Sequence, residues 1–479
     1  PMTPSFTSRR RLLAMLGVVT AGGSAALLAA CGGEAAPAAA PAKAEPTKAP
    51  AAAAPTTAAA AAAPTKAPEP TKAAEVVEIT FHSRGGPPTN QEVILYEEQM
   101  PLFMKKNANI KVKHEGFTGE DYVKKVTVLL AGGTIGDAMW TALGDGSIYN
   151  FAAMKSIIAL DDLVAKEKFD LGQYYAGAIN AMKRDGKLYA LPFKSHPGMA
   201  VMFYNKDLLG AKGVTGEPTK DWTLDQLVEA GKKATADGGF GYDPNLDQKT
   251  FLAMTRAHGG ELIDAEGKKS LLNSPEAVAA ITWLYEAINK HKITPTPDQL
   301  KELGGDAKSF GAAKVAMLRR GTSFQIAAGQ EVKDQFKWFV TVHPKGPKGV
   351  GGSDYEADGY SVTGASKKSA AAWEWVKWLT NQESGIRLGE IGGTVGGRPD
   401  VYKSDRLISK QPERKVFLEA MENAQPARPA YNTFFNDYRI AMHEALMPLW
   451  TGKETPSKSF LDNANGLVQA VLDKPAPKA

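Results

Sequence analysis

The sequence predicts an α/β protein with more than one sheet, carried behind a long N-terminal stretch that has no means of folding. Three observations predict it. Strand-like and helix-like stretches alternate from Val77 to Trp140, a similar alternation restarts near Met199, and residues 32 to about 74 hold no large apolar side chain. Alternating strands and helices cover both faces of a mostly parallel sheet. The roughly 400 residues beyond Glu75 suggest two or three domains on length alone.

In order along the chain, Val77, Ile79 and Phe81 alternate as a strand, and Gln91 to about Lys105 reads as an amphipathic helix. Ile110 to His114 is strand-like. Thr118-Gly-Glu-Asp121 resembles a capping signal before a helix carrying Tyr122, Val126, Leu129 and Leu130, which Gly132-Gly133 ends. Asp137 to Trp140 is the third strand. After the restart at Met199 to Tyr204, Thr223-Leu-Asp-Gln226 forms a capping box, with Trp222 and Leu227 as its staple. Ser274-Pro275-Glu276 opens a helix whose buried face is Ala277, Ile281, Leu284, Tyr285 and Ile288. Further helices are expected at Ala370–Leu379 and about Asp437–Leu446. No fixed-period repeat argues for a solenoid or propeller.

The N-terminal stretch divides in two. Residues 1–30 begin with Ser8-Arg9-Arg10-Arg11-Leu12-Leu13 and continue as a soft Ala/Gly/Leu run, the pattern of an export signal rather than a spanning helix. The paired arginines resemble the twin-arginine signal, with the general export route as the alternative. Cys31 is the only cysteine in 479 residues, so an intramolecular disulfide is excluded. Residues 32 to about 74 are almost all Ala, Pro, Thr, Lys and Glu. With no apolar payload they cannot offset the entropy of ordering, so residues 31–75 are read as a disordered tether, stiffened by proline to about 3.1 Å per residue. The formal charge of +5 falls close to +2 once the signal's three arginines are removed. That balance argues against a nucleic-acid partner. Beyond the signal no apolar run reaches the roughly 18 residues a spanning helix needs.

Leu28-Ala-Ala-Cys31 resembles the lipobox of bacterial lipoproteins, which implies a lipidated Cys31 on the outer face of the cytoplasmic membrane. Several ordered segments resemble the solute-binding proteins of ABC importers, in the sugar-binding group that includes the maltose-binding protein. They are Asp185-Gly-Lys-Leu-Tyr-Ala-Leu-Pro-Phe193, Tyr204-Asn-Lys-Asp-Leu-Leu209, Trp222-Thr-Leu-Asp-Gln-Leu227, Gly259-Gly260, Gly311-Ala-Ala-Lys-Val-Ala-Met317 and Ser366 to Leu379. The resemblance spans about Ile79 to Leu472. It implies a periplasmic-binding-protein-like fold of two hinged α/β lobes with parallel or mixed sheets: residues 76–195 plus 345–395, and residues 196–344 plus 396–472. It implies no enzyme activity, no cofactor and no metal. Its expected partners are a small solute, most plausibly a sugar, and the membrane permease of an ABC transporter, with the chain itself a monomer.

A sugar offers an apolar ring face and a rim of hydroxyls, so its site needs aromatic platforms and planar polar groups. By the resemblance, Trp140 at the end of the third strand is a cleft aromatic or a core tryptophan. Asp145 is a hydroxyl acceptor or a cap for Ser147 onwards. Arg84, before Gly85-Gly86-Pro87, is a fork for two oxygens or a solvated arginine. His196 sits at the first crossing between lobes. Phe324 is the nearest aromatic after Gly321-Thr-Ser. Tyr355 and Asp358 precede the strand Gly359–Thr363, and Tyr438 is offered with Tyr431 and Phe435, at least one of them for helix packing. Gly392 to Pro399 looks like the third crossing. Two rivals remain on the sequence: a carboxylate-based glycoside hydrolase, for which no specific pair stands out, and a surface adhesin or scaffold. No Gly-x-Ser-x-Gly, His-Glu-x-x-His or Walker motif is present.

Overall fold

Sheet-forming segments account for eleven strands among the described residues of the computed structural model, which are 75–85, 90–143, 148–349, 355–394, 396–425, 428, 430, 432 and 435–475. The readings of the signal, the lipidated Cys31 and the tether lie outside these residues, as do those of Asp145 and Tyr431. The strands are β1 (Val77–Arg84), β2 (Ile110–Phe117), β3 (Ala138–Ala142), β4 (Lys183–Arg184), β5 (Lys187–Leu188), β6 (Leu191–Pro197), β7 (Val201–Asn205), β8 (Phe240–Asp243), β9 (Val315–Arg320), β10 (Trp338–Val342) and β11 (Tyr355–Val362).

The first sheet has the order β2-β1-β3-β11-β6. Strands β1, β2 and β3 are parallel, and β11 runs antiparallel to both β3 and β6. The second has the order β10-β7-β9-β8, with β7 antiparallel to β10 and β9, and β8 parallel to β9. Both sheets are therefore mixed, where strand–helix alternation alone reads as parallel. The antiparallel members β7 and β11 are the strands by which the chain passes between sheets: from Pro197 to Val201, and from Val342 to Tyr355.

Local chemistry sets the element boundaries. Asn90 accepts from the Glu92 and Val93 amides to start the helix Gln91–Lys106, and Lys105 and Lys106 sit in its last turn, where the dipole favours cations. This cap fixes Glu92 in the first turn, beside the end of β1. Thr223 and Gln226 make the expected capping box, and Ser274 caps the helix Pro275–Asn289. Tyr285 of that helix is only half-buried, its place on the inner face being taken by Ala280 and Ala287. Thr118 departs from expectation: its hydroxyl donates to Asp121 Oδ2 at 3.1 Å, and no side chain caps the helix Gly119–Ala131.

The core around the first sheet is centred on Phe81. Tyr96, Tyr360 and Trp375 meet its ring edge-on, with centroids 5.2, 5.4 and 5.9 Å away. Such pairs add about 0.5–1.5 kcal/mol each beyond area burial. Trp373 and Trp375 enter fully buried from the helix Ser369–Leu379. A second core joins Tyr242, Phe251, Ile281, Leu284 and Trp450, under the helices Gln248–Ala257, Pro275–Asn289, Phe435–Trp450 and Lys458–Leu472. The helix Arg414–Glu422 packs against β6, β7 and β10, touching both sheets.

Candidate functional site

In mixed and parallel sheets, ligand sites form where strand carboxyl ends meet. Register places Asp358 opposite both Ala142, the last residue of β3, and Lys194 of β6. Arg84 is the last residue of β1. Three carboxyl ends and the start of β11 therefore share one edge of the first sheet. At the second sheet, Asp243 ends β8, Arg320 ends β9, and Arg320 pairs in register with Val201, the first residue of β7.

Four charges meet at the first edge. Lys194 Nζ donates to Glu92 Oε1 and lies 2.9 Å from Asp358 Oδ2. Arg84 Nη2 stands 3.9 Å from each of those two oxygens. The side chains of Lys194, Glu92 and Asp358 are 9%, 11% and 14% exposed, whereas Arg84 is 37% exposed. Arg84 is thus the member of the four that reaches solvent. Its guanidinium lies over the Trp140 ring, 4.5 Å from the centroid, and Tyr122 packs edge-on against the same ring at 5.2 Å. Burial opposes the charge on Asp358, but the Lys194 ammonium and Arg84 guanidinium outweigh it and hold its carboxyl below the usual range. Burial likewise opposes the charge on Lys194, and Asp358 and Glu92 outweigh it, so its pKa is raised. The four form a preset frame of fixed charges, in which a fork-shaped donor and two carboxylates are already oriented.

A second group lies two positions along. His196 pairs in register with Glu356, and its Nδ1 is 3.2 Å from Glu356 Oε2. The other oxygen of Glu356 contacts Lys249 Nζ, on the helix Gln248–Ala257 of the second core. That ion pair bridges the two layers. Burial holds the His196 imidazole neutral, with a pKa down to about 3; Asp358 opposes the shift, and the Lys194 and Lys249 ammoniums reinforce it. From the second sheet, Arg319 Nε donates to the Met199 carbonyl at 2.6 Å. Buried Arg320 is held by Asp243 and by Asp306 at 2.9 Å.

The structure brings Arg84, Trp140, Asp358 and His196 to one edge, with Tyr355 adjoining at the start of β11. Trp140 is 1% exposed, with Arg84 over its face. Tyr355 is buried against Gly177, where an added Cβ would stand 3.1 Å from its ring. Phe324 is set apart from this edge, packed on Phe203 at 5.1 Å with Arg320 over its ring at 5.7 Å. Tyr438 lies inside the second core, 1% exposed. Lys194, Glu92, Lys249 and Glu356 were not singled out by the sequence reading. Lys194 carried a signal, being a lysine within the otherwise apolar Leu191-Pro-Phe stretch; Glu92 and Lys249 did not.

A serine–histidine–glutamate relay is present nearby: Ser83 Oγ is 2.7 Å from His114 Nε2, and His114 Nδ1 is 3.4 Å from Glu97 Oε1. Ser83 has no accessible surface, so no substrate carbonyl can reach it. The relay holds β1 to β2 and performs no chemistry. Among the described residues no group of three His, Cys, Asp or Glu side chains is arranged to hold a metal, and no helix is long and apolar enough to cross a membrane.

The family model described as bacterial extracellular solute-binding protein matches residues 100–416, and the chain belongs to that family. It is a solute-binding protein and not an enzyme. Its two mixed sheets form a periplasmic-binding-protein-like fold. The chain is 31% identical over 329 residues to the arabinooligosaccharide-binding protein of Bacillus subtilis (strain 168), covering 65% of this chain and 74% of that one. An ABC substrate-binding protein from Listeria monocytogenes in complex with cycloalternan shares the fold with a TM-score of 0.71 at 24% identity, over 83% of this chain and 99% of that one. A maltose-bound protein of T. maritima does so with a TM-score of 0.67 at 23% identity, over 83% and 100%.

Proposed function

We propose that the protein captures a sugar, in oligomeric form, at the strand ends that carry Arg84 and Asp358, and hands it to the membrane permease of an ABC importer. The observation that carries this reading is Arg84, stacked on Trp140 and half-exposed between Asp358 and Glu92. A fork-shaped donor flanked by carboxylates suits a rim of hydroxyls, each of which both donates and accepts. The named ligands of the relatives, arabinooligosaccharide, cycloalternan and maltose, support the same class. Arg84, Trp140, Asp358 and His196 form the centre of the site in this reading. Tyr355 adjoins it, Phe324 and Tyr438 serve packing instead, and Asp145, which lies outside the described residues, is kept as a candidate hydroxyl acceptor. The lobes are residues 76–195 plus 345–395 and 196–344 plus 396–472. They close by rigid-body rotation about the crossings between them, with secondary structure kept.

Calorimetry against arabino- and maltooligosaccharides tests the reading. Heat of binding is expected for at least one series, the sugar is recovered intact, and Arg84→Ala weakens binding by about 1.5–3 kcal/mol, the value of a hydrogen bond to a charged group. Wild-type affinity in the Arg84→Ala protein would remove Arg84 from the site.

In the same reading Cys31 carries the lipid that keeps the protein at the outer face of the membrane, and residues 31–75 are the tether. A diacyl anchor is stable where a single chain binds only marginally. Wild-type protein should fractionate with membranes and Cys31→Ser should not. An unmodified Cys31 thiol by mass spectrometry would rule the anchor out.

A further inference from the structure

The helix Gln248–Ala257 opens with a cation where a helix least favours one. Lys249 is its second residue, and no acidic side chain stands in that first turn. The amide end of a helix carries partial positive charge, so an ammonium there opposes the macrodipole. The loop before the helix is nonetheless built to hold Lys249 in place. Asp247 accepts from the Thr250 amide at 2.9 Å, and the Thr250 hydroxyl donates to the Pro244 carbonyl at 2.9 Å. Asn245, in the left-handed region at φ 58°, donates through Nδ2 to Asp247 at 3.1 Å and to the Met199 sulfur at 3.5 Å. Met199 lies between β6 and β7, where the chain passes from the first sheet to the second. Phe251 and Leu252, just beyond Lys249, anchor the helix in the second core.

What offsets the misplaced charge is Glu356 on β11 of the first sheet, whose Oε1 contacts the Lys249 ammonium. Glu356 and Asp358 lie two residues apart on one face of β11, about 7 Å along the strand. Two like charges so close and so little exposed each need a cation. Asp358 finds Lys194 on neighbouring β6, within its own sheet. The register partner of Glu356 on β6 is His196, which burial keeps neutral, so the cation for Glu356 comes from the other layer. Lys249 and Glu356 are 27% and 24% exposed. The Lys220–Glu419 pair, at 45% and 39%, is by contrast screened by water and worth little.

We propose that Lys249 and Glu356 are a latch between the two layers, which holds the second-core helix against the charged edge of the first sheet and so retains the captured solute without touching it. Opening separates the two side chains and leaves Glu356 with only a neutral imidazole, two residues from the Asp358 carboxylate. A solute seated at Arg84 and Asp358 excludes water one step along the strand from the pair, where the Coulomb attraction then strengthens. By linkage the pair strengthens solute binding by the same factor. Lys249 and Glu356 are positioning residues in this account. The inference rests on the capture reading above and adds to it what sets the rate of release.

The test compares the full chain with Lys249→Gln, Glu356→Gln and the double substitution. Spin labels at Lys124→Cys and Ser459→Cys, exposed positions on helices of the first and second cores, report the separation of the layers, with Cys31→Ser to keep label off the native thiol. Without sugar, the three variants should show a longer or broader distance than the labelled parent. Calorimetry and stopped flow with arabinotetraose and maltotetraose follow on unlabelled protein. For the sugar that binds, each single variant should bind about fivefold or more weaker, the low end of usual couplings, through faster dissociation. The double should be no weaker than either single, because the second change finds the pair already broken. Unchanged distances overturn the latch, as do unchanged affinities or losses that add in the double. Absence of heat with both sugars overturns the carbohydrate reading, and the latch then stands or falls on the distances.

Discussion

Replacing Lys194 with Met is expected to cost about 3–5 kcal/mol of stability at pH 7, because it leaves Glu92 and Asp358 buried without the cation that touches both. Arg84 does not substitute for it, being 3.9 Å from each carboxylate and more than a third exposed. The pH dependence follows from the direction of the Asp358 shift. Its folded pKa is lowered, so in wild type it contributes stability that is fully present above the ordinary carboxyl value of about 4 and is lost as pH falls through the lowered value. In Lys194→Met the buried Asp358 carboxyl has lost that cation and resists ionisation, so acid relieves the variant. The gap between the two should be widest near pH 7 and shrink on acidification. Urea melts across pH 4–8 measure it. A loss under about 1 kcal/mol at pH 7, or a gap that widens in acid, would show that the frame is not electrostatically closed.

Trp140→Ala should cost a similar amount, about 3–5 kcal/mol, since the indole is 1% exposed and packed against Tyr122, so its removal leaves a cavity. Binding should fall as well, because the guanidinium of Arg84 loses the face that holds it. Trp140→Phe separates the two effects. Nε1 of Trp140 has no hydrogen-bond partner among the described residues, so the smaller ring strands no polar group and still supports a cation, at about 0.5–2 kcal/mol. The Phe variant should bind nearly as wild type and lose stability only modestly. Weak binding in the Phe variant with stability intact would mean that solute touches the indole directly.

The fold was legible where chemistry is local. The alternation through Val77, Ile79 and Phe81, the Thr223 box and the Ser274 cap each follow from neighbours within four residues, and each element stands where those neighbours put it. Strand direction was less legible. That β11 enters the first sheet antiparallel, between β3 and β6, depends on residues more than 150 positions apart, and no periodicity records it. The site shows the same division. Arg84, Asp358 and His196 stand at strand ends that a pattern can mark, whereas Glu92 joins them only because Asn90 starts its helix there. Lys249 joins them from the other layer. Thr118 shows the limit of motif reading, since a hydroxyl with a carboxylate three residues on has a choice of partner and took the side chain.

The position of β11 also constrains how the chain comes to be folded. It is the strand between β3 and β6, yet it is made last of the five. A ribosome that has released β6 must add the whole second sheet before β11 emerges, about 8–30 s at ordinary elongation rates of about 5–20 residues per second. Throughout that interval β3 and β6 each expose a hydrogen-bonding edge with no partner, and the second sheet gains its last strand, β10, shortly before β11 emerges. The second sheet can therefore pair its strands first, although the helices Phe435–Trp450 and Lys458–Leu472 that cover it come later still, and the first sheet waits, its open edges a hazard for pairing with other chains.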